Sequence, residues 1–532
     1  MRIRIPTRSG LASAAAAFVV SGVVAGGLFV PGASAAPSAS SVLDPGGADP
    51  GPALLSTGTA ETVNVMAPLW VDDWATGGPE WRAFTSSLAV ASAQGVDAVA
   101  IDVWWGAVEP TRGVYDWSYY DRAFAAITGA GLDLVPLMSF HECKSNVGDD
   151  CDISVPSFVW EPVSICGIAG CSTPVPAENH FVSEYGNVNR EAPAPWGAGA
   201  SRTLLQQQEF MEAFEQHYGS GATDYTDSIQ EITIGTGPAG ELRYPSYAVH
   251  DSKVPGNPAG YPNRGTFQSY TPAAVRDFAD WAVARYGSVA GVGAAWSIPG
   301  LTYSAISPPT DHERFITSGS YRMLAYGRDF TRWYSESLLS HGRDVVERAS
   351  AAFDEEFAGV PLGIKIPGVH WQTMATSPMQ RVPEIAAGLV HTDQDYASAS
   401  TGHGYDPLLA MVDDLSTGPG AHDVRLHFTA LEMPDGREWD GADHAYSDAA
   451  SLVAWVGDAA RRAGVTLKGE NALADNLRQV GTPSTVGWLH IRDAFSGPAP
   501  AYSGITLLRL ADVVALGSTG RLELERFLRD FS

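Results

Sequence analysis

Residues 229–247 read IQEITIGTGPAGELRYPSY: a β-branched run from Ile229 to Ile234, then small residues, then an acid, Glu241, with Arg243, Tyr244 and Tyr247 close behind. A strand that ends in a Gly/Pro-rich turn carrying a carboxylate is how an α/β protein presents an acid at the carboxyl end of its sheet. Arg and Tyr beside it suit the hydroxyls of a sugar. The same residues also make an ordinary structural ion pair, because perturbed carboxylates occur in structural networks as well as in active sites. The rest of the chain decides between the two.

Outward from this stretch, short β-branched runs recur at 63–67, 98–103, 133–138, 229–234, 361–366, 424–429, 465–469 and 505–508. Helix-compatible amphipathic segments separate them, among them 80–94, 117–130, 203–218, 271–286, 321–351 and 447–463. Strand–helix alternation predicts a parallel sheet, and eight units predict a closed (β/α)8 TIM barrel rather than an open doubly wound sheet. The long segments 141–200 and 236–270, rich in Gly, Pro and aromatics, are then loops over the carboxyl-terminal mouth.

Ahead of the barrel, Arg2, Arg4 and Arg8 precede an apolar run from Leu11 to Val30 and the small-x-small pattern Ala33-Ser34-Ala35. Residues 1–35 read as a secretory signal peptide, with an uncleaved membrane anchor as the rival, so a secreted protein free of the membrane after cleavage is expected. Residues 36–62, rich in Ala, Ser, Gly and Pro, read as a disordered lead-in, leaving 63–532 as one catalytic domain.

The chain carries 33 Lys and Arg against 60 Asp and Glu, a formal charge of -27. Such a balance excludes a nucleic-acid partner, whose recognition needs clustered positive charge, and favours a neutral substrate. Fifteen Trp in 532 residues supply flat apolar faces for sugar rings or for a large core. All four cysteines, Cys143, Cys151, Cys166 and Cys171, fall in the first long loop. In an exported chain they read as two disulfides, most simply Cys143–Cys151 and Cys166–Cys171; a zinc site is the alternative, although no Cys-x-x-Cys pair is present.

Every strand end but the first carries a reactive or hydrogen-bonding group: Asp102, His141, Glu241, Lys365 with His370, Thr429 with Glu432, Glu470 and Arg509. Singly, each is most simply a satisfied structural group. Collected on the mouth of one barrel they form a site, and Glu241 and Glu470, after the fourth and seventh strands, supply the two carboxyl groups in opposite protonation states that glycosidic hydrolysis requires. No Gly-x-Ser-x-Gly elbow, phosphate-binding glycine loop or His-Glu-x-x-His motif competes with this reading.

Two stretches, HECKSNVGD at 141–149 and GPAGELRYPSY at 237–247, resemble signatures of the beta-amylases, and DVWWG (102–106), SFHEC (139–143), KIPGVHW (365–371), FTALEM (428–433), GENAL (469–473) and LRL (508–510) add to the likeness over 63–512. The resemblance implies exo-acting hydrolysis of α-1,4-glucans such as starch, glycogen and maltooligosaccharides, with β-maltose released from non-reducing ends by inversion. It implies Glu241 as general acid and Glu470 as general base. Asp102, His141 and Asp149 would bind the terminal glucose units, with Asp149 on a closing flap. Lys365 and His370 would meet the sugars beyond the cleavage point; Thr429 would sit on a mobile inner loop; Asn471, Ala472 and Arg509 would complete the surroundings of the base. The Cys143–Cys151 bridge also matches bacterial members.

The resemblance implies no cofactor for the chemistry. Some bacterial members hold a structural calcium, for which Glu109, Glu209 and Glu212 are the matching ligands, with Gly113 where a further acid is expected. Lys144 and Ser145 replace two flap glycines, and Gln372 and Thr373 replace outer aromatics. A monomer without a carboxyl-terminal starch-binding module is expected. Two other readings stay open: a retaining barrel glycosidase with its acid and nucleophile on the same two strands, separable by product stereochemistry, and a non-catalytic glucan-binding protein on the same barrel, separable by a reducing-sugar assay.

Overall fold

Eight parallel strands close into a barrel in the computed structural model, which describes residues 60–531 apart from 145–148, 165, 168–169, 248–250, 252–262, 378, 419, 437–445, 474–476, 478–483 and 498–499. The strands are β1 (Thr62–Met66), β2 (Ala98–Trp104), β3 (Asp133–Ser139), β4 (Ile232–Ile234), β5 (Leu362–Ile366), β6 (Val424–Phe428), β7 (Leu467–Glu470) and β8 (Tyr502–Leu507). Each pairs with its neighbours in sequence order, and β8 closes on β1 through Thr62↔Gly504 to Val65↔Leu507. All eight expected runs are strands, with shifted ends. Pairing at β4 is interrupted between the Ile229 bridge to Leu134 and Ile232, and β8 starts earlier, at Tyr502, where no β-branched residue marks it.

The helices form because their apolar residues recur at three- and four-residue spacing and so make one buried stripe. The longest, Ala325–Ala352, buries Phe330, Trp333, Tyr334, Leu338, Val345, Val346 and Ala349. The helix Pro272–Tyr286 shows how ends are set. Thr271 accepts the Ala274 amide at 3.1 Å, Pro272 occupies the first turn, and Gly287 closes the helix at φ 75°. Helices Asp406–Ser416, Ser484–Ala494 and Thr519–Phe531 lie outside the segments expected from sequence.

The barrel begins before the expected boundary at 63. The Ala60 amide bonds the Phe531 carbonyl and the Glu61 amide bonds Ser503, both at 2.6 Å, so residues 60–62 belong to the fold and not to a lead-in. The signal-peptide segment and the lead-in up to residue 59 lie outside the described residues. Among the described residues no helix is long and apolar enough to cross a membrane.

Cys143 and Cys151 are joined by a disulfide across a Cα–Cα distance of 5.6 Å. Cys171 is also disulfide-bonded and stands directly across from Cys166 in a two-residue antiparallel hairpin. No described cysteine is free. With Cys143, Cys151 and Cys171 all disulfide-bonded, the loop keeps no set of thiolates for zinc, which stands against that alternative.

Candidate active site

Glu241 is delivered by a tight turn. After β4 the chain makes a short 3-10 turn, Pro238–Gly240, in which Ala239 and Gly240 both take left-handed conformations, φ 57° and 74°. A side chain at Gly237 would put its Cβ 2.6 Å from the Glu241 carbonyl and 2.8 Å from that of Arg243, so only glycine lets the chain fold back this closely. The segment is then tied to its surroundings. The Leu242 amide bonds the Lys365 carbonyl at 2.7 Å, and the buried His341 ring bonds the Thr236 carbonyl at 2.9 Å. Tyr244 is wholly buried, its ring 4.1 Å from that of Tyr334 and stacked on Trp196, with its hydroxyl donating to the Tyr334 carbonyl. Tyr244 is thus an anchor of the turn and offers nothing to a sugar, which corrects the reading of the sequence.

Burial raises the pKa of Glu241, against the opposing pull of the Arg243 and Lys365 cations, and the charge of Glu470 raises it further. Arg243 donates to Glu241 at 2.7 Å from a buried position, with its guanidinium 4.2 Å above the Tyr247 ring. A carboxyl held toward its neutral form is what a general acid needs. Thr429, whose hydroxyl accepts the Gly368 amide at 2.8 Å, lies 3.5 Å from Glu241.

Glu470 ends β7, three positions round the eight-strand circuit from β4, and is buried. Lys365, on β5, grips both of its oxygens, at 2.8 and 3.0 Å, and also acts on Glu241, so one ammonium group sits electrostatically between the two acids. Glu470 thus holds the direct ion pair with this lysine, and Glu241 the direct ion pair with Arg243. The chain after Glu470 is pinned from two sides. Asn471 exchanges hydrogen bonds with the backbone of Leu508 at 2.8 and 3.2 Å, and Glu432 accepts the Ala472 and Leu473 amides at 2.9 and 2.8 Å.

Asp102 and His141 stand on the adjoining strand ends. Asp102 accepts the Ser139 hydroxyl at 2.7 Å. His141 is buried edge-on to Trp104, and burial pulls its pKa to about 4 despite the charges of Asp102 and Glu191, so the ring is neutral. Asp149 accepts the Lys144 amide at 2.8 Å, tying the start of the flap to its far side; Ser145 lies outside the described residues. Lys144 keeps φ at 140°, a conformation that favours glycine, while its ammonium pairs with the exposed Asp152. His370 is half-buried, edge-on to Trp371, and Arg509 reaches the Ala67 carbonyl at 3.4 Å.

The calcium ligands expected from the resemblance do not fit a cation site. Arg112 bonds Glu109 at 3.1 Å and pairs with Glu209, so its guanidinium already bridges the two acids. The buried Glu109 carboxylate also accepts Trp105 Nε1 at 2.8 Å and the Gly113 amide at 2.6 Å, and Glu212 accepts Gln208. Glu109 faces fixed N–H donors, whereas calcium requires a shell of oxygens.

Sequence reasoning missed four buried charged residues at this site: Glu191, Glu231, His427 and Lys468. Glu191 interacts with His141, Arg243 and Tyr247 from a loop with no strand pattern to mark it. The other three carried a signal. Each is charged or titratable, interrupts an apolar run, and stands two residues from a partner on the same face of its strand, as His427 does from Thr429 and Lys468 from Glu470.

The profile of Glycosyl hydrolase family 14 matches residues 64–531. The chain is 35% identical to the beta-amylase of Niallia circulans over 466 residues, 87% of this chain and 69% of that protein. It is 34% identical to the thermophilic beta-amylase of Thermoanaerobacterium thermosulfurigenes over 453 residues, 84% of this chain and 71% of the relative. Its fold is similar to the crystal structure of the catalytic domain of the Paenibacillus polymyxa beta-amylase, with a TM-score of 0.71 and 32% identity, covering 90% of this chain and all of that one.

Proposed function

The chain belongs to Glycosyl hydrolase family 14, and from that premise we propose that Glu241 is the general acid and Glu470 the general base of its reaction. The chain is a glycoside hydrolase of the beta-amylase type, an exo-acting enzyme on α-1,4-glucans that releases maltose. The observation that carries the assignment is a pair of carboxyls, one following β4 and one ending β7, that share the field of one lysine. Burial raises the pKa of Glu241, while Lys365 grips Glu470 at 2.8 and 3.0 Å.

In a single displacement, Glu241 gives its proton to the glycosidic oxygen while Glu470 takes one from water attacking the opposite face of the anomeric carbon, so the maltose leaves as the β anomer. Lys365 supports the charged base and Arg243 orients the acid. Asp102 and the neutral His141 offer a carboxylate and a ring nitrogen to sugar hydroxyls, as His370 does further out. Asp149 closes with the flap; Thr429 and Arg509 shape the ends of the site, and Asn471 and Ala472 hold the base loop. No calcium is held in this reading, because Arg112 supplies the positive charge between Glu109 and Glu209. Export after loss of residues 1–35, supported by the Arg2–Ala35 pattern, and action as a monomer free of the membrane belong to the same reading.

Glu241→Gln and Glu470→Gln test the roles. Each should lose activity on soluble starch by about 10²- to 10⁴-fold or more, the usual contribution of proton transfer. Near-normal turnover by either variant would remove that residue's assignment.

A further inference from the structure

Below the level of the two acids the barrel lumen is divided. β1, β2 and β3 fill their side with Met66, Ala98, Ala100, Val135 and Leu137. The side lined by β4 to β7 holds instead Glu231, His427 and Lys468, all buried. Branched apolar side chains are the usual filling of such a barrel, and buried charge is costly unless it is paired, so a charged cluster here has to have a reason.

Its geometry supplies one. Glu231 faces His427 Nε2 at 2.5 Å and accepts Lys468 Nζ at 2.9 Å, with Arg425 at 3.4 Å. Burial opposes ionisation of Glu231, but His427 and Lys468 together hold its pKa well below the usual carboxylate range. Room for the arrangement comes from Gly363 on β5. A Cβ there would stand 2.5 Å from Glu231 Oε1 and 3.2 Å from His427 Nε2. With Nε2 committed to Glu231, the other ring nitrogen is aimed at the base. Nδ1 is buried, makes no hydrogen bond among the described residues, and lies 3.8 Å from the Glu470 oxygen that Lys365 holds at 2.8 Å.

We propose that His427 is a positioning residue for the general base: Glu231, itself held by Lys468, fixes the imidazole so that Nδ1 is turned toward Glu470 and the ring, with Lys365, holds that carboxylate in place. The groups facing the ring are Glu231 from the start of β4, Lys365 from β5, Arg425 from β6 itself, and Lys468 and Glu470 from β7. The proposal rests on Glu470 being the base.

The test is the pH profile of kcat/KM on maltohexaose. His427→Gln should move the acid limb by about one pH unit, the usual effect of changing one polar or charged group beside a carboxylate. KM should stay within about threefold of the unaltered protein, because the groups that bind substrate remain, while kcat falls. An unmoved limb, or a loss equal at every pH, overturns the proposal. If His427→Gln does not fold, Glu231→Gln, which keeps the ring and removes its charged partner, is read by the same limb with the same two outcomes. Near-normal turnover by Glu470→Gln would remove the base assignment itself, a failure that no movement of the limb can imitate.

Discussion

Replacing Lys365 with methionine removes the ammonium shared by the two acids while keeping a side chain of similar length. Both Lys365 and Glu470 have side chains only 5% exposed, and their contact is 2.8 Å. Opposite charges about 3 Å apart attract by about 5 kcal/mol at an effective dielectric near 20. Removing one partner of a buried pair typically costs about 3 to 5 kcal/mol, because the other charge is left without compensation. A thioether cannot supply that charge, so the buried Glu470 loses both its counter-charge and the contact that holds it in place for the attacking water. Lys365→Met should therefore lose kcat by about 10²-fold or more, the lower end of what proton transfer contributes. Urea unfolding should show a loss of stability of about 3 kcal/mol. Initial rates on soluble starch and a set of urea midpoints would measure both. A variant with unaltered kcat and midpoint would refute the view that Lys365 sets the state of the base.

Two further outcomes follow from the same geometry. Because Arg112 bridges Glu109 and Glu209, a chelator should leave the thermal midpoint and the starch activity unchanged, whereas Arg112→Ala should destabilise by about 1 to 3 kcal/mol, the cost of a buried acceptor losing its donor; a chelator-induced fall in the midpoint would contradict this. Burial lowers the pKa of His341 to about 4, so between that value and about 6.5 the unfolded chain holds a proton that the folded chain refuses; its contribution is fully present above pH 6.5 and is lost on acidification toward pH 4, at about 1.4 kcal/mol per pH unit. His341→Gln should flatten the fall of the urea midpoint over this range, and a slope equal to that of the unaltered protein would count against a neutral His341.

The barrel was legible because its strands are written as short β-branched runs, and only their ends were misjudged. β4 shows why: pairing lapses at Gln230 and Glu231, where the Glu231 carboxylate meets His427 and Lys468 in the lumen. A tertiary contact of that kind has no local signal. The placing of Glu241 and Glu470 at the barrel mouth was legible because Glu470 ends a strand and Glu241 follows, after another, a turn that glycine alone permits. Tyr244 was misread because its sequence neighbours are polar, while its ring packs against Tyr334 from a helix ninety residues away. The Arg112 bridge that stands against the calcium expectation was not legible, because Arg112 lies three residues from Glu109 and its reach to Glu209 becomes apparent only when the helix Ala200–Tyr218 is in place. At the flap, Lys144 takes a φ of 140°, a conformation that favours glycine, and its amide meets Asp149, neither of which the sequence could show.

An acid and a base acting on opposite faces of the sugar, the roles proposed for Glu241 and Glu470, have one direct chemical consequence, the configuration of the sugar released. Proton NMR of a fresh digest of maltohexaose, recorded before mutarotation, reads it at once. The β anomer of maltose as the first product is the expected result. Initial α-maltose, or a ladder of longer oligosaccharides, would contradict an inverting, exo-acting pair built from Glu241 and Glu470.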